Sequence, residues 1–399
     1  MTKWLLLGLF LLPASGIFAQ DQLDLQHAFE LATRNSPSMI ALQRERAAAE
    51  AEAQIEGQFG NPSLITETTR SQPNYFVGAG YLWELGGKRS KRIAVARGAV
   101  QLAEFNYRLA LQTLRHDVRL AYYGLLIAQK KQAEVGKSRD LAQKLYDVAN
   151  ERFELGDVAR LELLQASLEL KRRQNDFSQQ SSETQAALIE LNQRLRRDPQ
   201  ATIELQDTTA APAEFNLDSL VSQAIANHYT LLSIRQQRKT EEARLSLAKA
   251  GRIPDLDLEG GTEIHDEDFQ YGYRAALRLD LPIFNRKQGE VLLANTNIER
   301  LKAEEEAATI KLRSDISAAF LRYQASVLRA HNYETDILPE SHEIEQLAVE
   351  SYQAGKTGIL SVIDAQRSVR EVQLEYLDVL LQLQTALADL EQTSGVELK

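Results

Sequence analysis

The chain has no cysteine and only two methionines among its 399 residues. Without cysteine there are no disulfides, no thiolate metal centre and no N-terminal cysteine to carry a lipid anchor. The methionines, Met1 and Met39, leave no thioether ladder for a soft cation such as copper or silver. After the N-terminal segment, no run reaches the roughly 18 consecutive apolar residues that a membrane-crossing helix needs. A formal net charge of −10 argues against nucleic acid as a partner. The histidines His27, His116, His228, His265, His331 and His342 include no pair spaced three or four apart. No H-E-x-x-H, G-x-S-x-G or Walker sequence occurs, and Gly78-Ala79-Gly80 falls in a strand pattern and not in a phosphate loop. No catalytic arrangement, metal site or cofactor is expected. Proline (9) and glycine (20) are scarce while Ala, Leu, Glu, Gln and Arg dominate, the composition of long helices.

Residues 1–19 read as an export signal. Lys3 supplies the positive start, Trp4 to Leu12 the apolar stretch and Ile17-Phe18-Ala19 a cleavage pattern. What remains reads as two copies of one unit, residues 20–196 and 217–399, joined by a linker over 197–216. Phe29, Ala32, Asn35 and Ile40 are answered by Val221, Ala224, Asn227 and Leu232, about 192 positions later. Further on, Leu114-Arg115-His116-Asp117-Val118 is answered by Leu312-Arg313-Ser314-Asp315-Ile316. Phe153-Glu154-Leu155-Gly156 is answered by Tyr352-Gln353-Ala354-Gly355. A period this long is not that of a solenoid.

Each copy holds one strand hairpin, about 62–84 and 254–282, turning near Gln72-Pro73-Asn74 and Asp266-Glu267-Asp268. The patterning there has period 2. Tyr75, Val77, Ala79, Tyr81 and Trp83 alternate with Phe76, Gly78, Gly80 and Leu82. Tyr271, Tyr273, Ala275, Leu277, Leu279 and Leu281 alternate with Gly272, Arg274, Ala276, Arg278 and Asp280. Strict alternation marks a sheet dry on one face and wet on the other. Alternation alone fits a soluble hairpin equally well; the export signal and the aromatic residues favour a tilted outer-membrane strand. The lipid face would then carry Tyr75, Tyr81, Trp83, Tyr271, Tyr273, Leu277 and Leu279. The lumen face would carry Glu67, Asp257, Glu259, Glu263, Arg274, Arg278 and Asp280. Glu67 is placed by its equivalence to Glu259.

Long helical patterning follows each hairpin, about 87–154 and 286–354, proline-free in the first and with Pro339 as the expected kink in the second. At 1.5 Å per residue such a helix is roughly 100 Å long and must lie along neighbours as in a coiled coil. Return helices are expected over 158–196 and 358–394. Four strands cannot close a barrel, and eight, from two chains, give an interior filled by side chains, so a conduit needs at least three chains.

Duplicated halves of helix, hairpin, long helix and return helix behind an export signal resemble the TolC family of outer-membrane efflux proteins. Leu279-Asp280-Leu281-Pro282-Ile283-Phe284 and the turn motifs ahead of Leu163-Leu164-Gln165-Ala166 and Val362-Ile363-Asp364-Ala365-Gln366 carry the likeness. The resemblance implies a homotrimer with a shared twelve-strand barrel in outer-membrane lipid and a periplasmic helical tunnel. It also implies two partners, a periplasmic adaptor and an inner-membrane RND pump. Within the family, Glu84-Leu85-Gly86-Gly87-Lys88-Arg89-x-x-Arg92 is similar to the CzcC-type branch that serves heavy-metal cation export. The resemblance further implies a periplasmic aperture at Asp364, with Glu162 and Gln165 as first-copy counterparts. The adaptor would meet the turns Gly156-Asp157 and Gly355-Lys356-Thr357-Gly358. Export of organic molecules or protein by the same fold, and a periplasmic coiled-coil scaffold, are the competing readings.

Overall fold

The computed structural model describes residues 22–70, 75–207, 213–265 and 270–398. The expected leader, the tips of both hairpins and part of the linker lie outside the described residues. The first half runs α1 (Leu25–Asn35), α2 (Pro37–Glu56), β1 (Ser63–Thr68), β2 (Tyr75–Trp83), α3 (Lys88–Glu154) and α4 (Arg160–Leu195). The second runs α5 (Leu217–Asn227), α6 (Tyr229–Ala250), β3 (Leu256–His265), β4 (Gln270–Leu279), α7 (Gln288–Asn332), a π-helical turn (Tyr333–Ile337), α8 (Leu338–Gln353) and α9 (Ile359–Ser394).

Local chemistry sets the boundaries. The Asp24 carboxylate accepts from the His27 amide at 2.7 Å and starts α1. Ser36 caps α2 with Pro37 in its first turn, where the missing N–H is no loss. The equivalent break between α5 and α6 uses His228, whose imidazole accepts from the Thr230 amide at 3.2 Å. Pro339 interrupts the helical ladder without ending it. The preceding turn widens to π geometry, and the Leu338 amide bonds the Tyr333 carbonyl five residues back.

The two halves bury equivalent positions. In the first, Ala32, Val118, Ala121, Tyr122 and Leu191 are buried; in the second, Ala224, Ile316, Ala319, Phe320 and Leu390. Each set forms its own core where the short helices cross the long ones. A third cluster, of Ala149, Ala166, Ile359 and Ile363, lies near the helix tips and joins the halves. The linker is more than a tether. Leu23 and Leu205 form a parallel bridge, and the Tyr122 hydroxyl lies 3.0 Å from the Leu23 carbonyl and 2.6 Å from that of Gln206.

All four strands form one antiparallel sheet in chain order, with β2 and β3 pairing across the repeat boundary. The last strand stops at Leu279, short of the expected Leu281. Pro282 has no amide to donate and restricts Leu281, so the ladder ends before them.

Candidate functional site

Register decides the faces of the sheet. Tyr81, Leu258 and Leu277 are cross-strand partners, as are Trp83, Leu256 and Leu279, and Tyr75, Ile264 and Tyr271. Strand period therefore gathers the apolar positions of three strands on one face. This face is open, with Tyr273 90% exposed, Leu64 78% and Leu277 60%. Soluble folds do not leave so large an apolar surface without an occupant.

The opposite face is an ion-pair ladder. Arg274 bonds Glu67 at 2.8 Å and approaches Glu263 at 3.7 Å; Arg278 approaches Asp257 at 3.1 Å and Glu259 at 3.4 Å. Glu67 thus lies on the charged face, the side its repeat equivalence indicates. Asp280 follows the strand end and is exposed. Sequence pattern did not reveal how Arg274 is held. Phe76, 3% exposed, lies against Gly78 and Gly261, where an added Cβ would come within 2.5 Å and 2.8 Å of its ring. Arg274 stacks over the ring at 3.6 Å from the centroid. The two glycines make room for an aromatic that seats the guanidinium.

At the other end of the helices, Gly156 and Gly355 have φ of 80° and 69°. Beyond them the amides of Asp157 and Lys356 reach back to the carbonyls of Arg152 and Ser351 at 2.8 and 2.9 Å, closing each helix end. Gly358 is extended (φ −82°, ψ 167°) and precedes α9 as its N-cap, so it is not a left-handed position. Asp157 and Thr357 are exposed. The Tyr352 hydroxyl donates to Glu162 at 3.2 Å and accepts from Arg152 at 3.0 Å, linking the tips of α3, α4 and α8. Burial, followed by the charge of Glu162, pushes the Tyr352 phenol above its ordinary range.

Asp364 is exposed between buried Ile363 and Ala365, and Gln165 is half-buried. Asp364 does not stand alone. Arg367 lies 3.5 Å from it and 3.4 Å from Glu169 on α4. Glu169 is 2.8 Å from buried Arg173, which bonds Asp176 at 2.6 Å; Asp176 meets Arg370 at 3.3 Å. Sequence reading passed over this network, although Glu169, Arg173 and Asp176 have the four- and three-residue spacing of helical ion pairs. No group of three metal-ligating side chains occurs among the described residues.

Residues 28–195 and 220–396 match the outer membrane efflux protein family. The chain belongs to that family. It is therefore an outer-membrane transport protein and not an enzyme. The chain is 23% identical over 391 residues to the cobalt-zinc-cadmium resistance protein CzcC of Cupriavidus metallidurans, covering 97% of this chain and 94% of that protein. It is 26% identical over 418 residues to the pyoverdine export outer membrane protein OpmQ of Pseudomonas putida, covering 93% and 85%. The outer membrane protein VceC of Vibrio cholerae has the same fold, with a TM-score of 0.74 at 17% identity over 94% of this chain and 97% of that one.

Proposed function

We propose that this member of the outer membrane efflux protein family works as a homotrimeric exit duct for divalent heavy-metal cations. A periplasmic adaptor and an inner-membrane RND pump would supply cargo and energy. The observation that carries the duct reading is the sheet, which among the described residues has four strands, two unpaired edges at β1 and β4, one open apolar face and one charged face. Three copies joined edge to edge make twelve strands, with the apolar face to lipid and the ladder to the lumen. Leucines left open along α4 (Leu161, Leu164, Leu168) and α7 (Leu321, Leu328) are contacts for neighbouring copies in such a tunnel.

Two observations support cationic cargo. CzcC resembles the chain over nearly its whole length. The proposed lumen also sets Glu67, Asp257, Glu259, Glu263 and Asp280 against two arginines, Arg274 and Arg278, a net negative lining that favours cations. The name of OpmQ supports a second reading, export of organic chelators. Deleting the gene should sensitise its host to cobalt, zinc or cadmium and leave tolerance of dyes and detergents unchanged. The reverse pattern would transfer the assignment to organic cargo.

At the tips, Asp364 from three copies would ring the aperture. Asp364→Ala should lower cation selectivity and multivalent-cation block in planar-bilayer recordings. Asp157→Ala removes the same charge at the turn, where an adaptor would dock, and should leave conductance alone. Unchanged selectivity and block in Asp364→Ala would return Asp364 to the solvated helix surface.

A further inference from the structure

Trp83, Leu256 and Leu279, partners in the sheet register, mark the level at which the strands give way to helices. Just beyond it, on the helix side, the loops expose a second apolar set that the sheet does not include. Phe59 is 70% exposed, Leu281 66%, Ile283 57% and Phe284 92%. Arginines are interleaved with these residues and held in one way. Arg89 donates Nε to the Gly57 carbonyl at 2.7 Å and lies 4.0 Å over the Phe59 ring. Arg252 donates Nε to the Arg286 carbonyl at 3.1 Å, and Arg286 donates Nε to the Ile283 carbonyl at 3.0 Å. Among the described residues none of these three guanidiniums has a carboxylate partner. Three neighbours at this level do: Lys88 meets Asp255, Arg92 meets Glu84 and Glu56, and Lys287 meets Glu290, whereas Lys91 donates to the Gly86 carbonyl at 2.9 Å.

A guanidinium pinned through Nε by a backbone carbonyl keeps its two terminal nitrogens for two oxygens of one anion. Aromatic and aliphatic side chains beside it suit the depth where acyl chains meet headgroups. A protein partner would supply carboxylates or apolar surface; a phospholipid supplies a phosphate and an acyl chain at one depth. We propose that Arg89, Arg252 and Arg286 form a collar that binds the phosphate headgroups of anionic phospholipids, with Phe59, Ile283 and Phe284 against the first acyl carbons. The collar continues the apolar sheet face and rests on that face meeting lipid.

The test uses the full chain in nonionic detergent. Its melting temperature is followed while dioleoylphosphatidylglycerol, dioleoylphosphatidylcholine or inorganic phosphate is added. The anionic lipid should raise the melting temperature well above the other two additions. The half-saturating concentration should rise by about fivefold for each arginine removed across Arg89→Gln, Arg252→Gln and Arg286→Gln. Equal stabilisation by phosphatidylcholine, a matching response to inorganic phosphate, or an unchanged titration in the triple variant would each overturn the proposal. So would a triple variant that loses its oligomeric state but keeps the lipid response, since the collar would then be a contact between copies. If the triple variant does not accumulate, Arg286→Gln and Phe284→Ser are read singly against the same criteria. Failure of the underlying reading is separate, because it appears as normal membrane assembly of Leu277→Arg.

Discussion

At the residue scale, His228 shows how a small part of the fold is set by burial. The residue is 8% exposed, and its ring accepts from the Thr230 amide and is bonded to the backbone of Gln392. Burial lowers its pKa below the ordinary 6.5, and the backbone bond only partly opposes this. The folded state therefore favours neutral imidazole. Its contribution is fully present above pH 6.5 and is lost as the pH falls from there through the lowered folded value. His228→Asn, which keeps a capping acceptor, should flatten the loss of thermal stability as the pH falls below 6.5. An unchanged pH profile of the melting temperature would remove His228 from that dependence. Gly355 is a second case. No heavy atom lies within 4 Å of a Cβ built there, yet φ is 69°. Gly355→Ala should cost about 1 kcal/mol through backbone strain alone, and a melting temperature equal to wild type would contradict that.

At the element scale, the strands carry the assignment. Leu277 lies on the open apolar face opposite Leu258, and Ala276 on the charged face opposite Glu259. Leu277→Arg should impair membrane assembly by roughly 2–4 kcal/mol if it sits near mid-bilayer. Ala276→Arg, one residue away, finds a carboxylate partner and should assemble far better. Equal yields in the detergent-extracted membrane fraction would withdraw the lipid-facing reading. The alternation that separates these two residues was visible in the sequence. The seating of Arg274 on Phe76 was not, because it depends on Gly78 and Gly261 being adjacent across strands.

At the scale of the whole molecule, four strands with two free edges demand company. Purified in mild detergent, the protein should have the mass of three mature chains by light scattering with detergent correction. A monomer with a closed barrel would contradict edge-to-edge assembly. The helices make the same demand. The α3 helix is 67 residues long and packs on α2, α4, α6 and α9, yet leucines on α4 and α7 remain open. A hydrogen bond between His116 and Asp389 at 2.9 Å and ion pairs of Lys131 with Asp378 at 2.6 Å and Arg119 with Glu391 tie α3 to α9 across the repeat boundary. Within one chain the halves are thus held together without closing the surface that neighbours would cover.

Periodicity and composition by themselves determined the class of each element and the two faces of the sheet. These follow from local geometry: 3.6 residues per helical turn, two per strand repeat, and the scarcity of proline in the long helices. The glycine-ended turns and the kink region at Pro339 are legible for the same reason. Only the tertiary structure decided that β2 pairs with β3 and that the linker seals the first core. It also tied Asp364 through Arg367 to Glu169, and gave Arg89, Arg252 and Arg286 only backbone acceptors among the described residues. Each of those facts joins residues far apart in the chain or turns on which partner a side chain finds, and no local period encodes the choice.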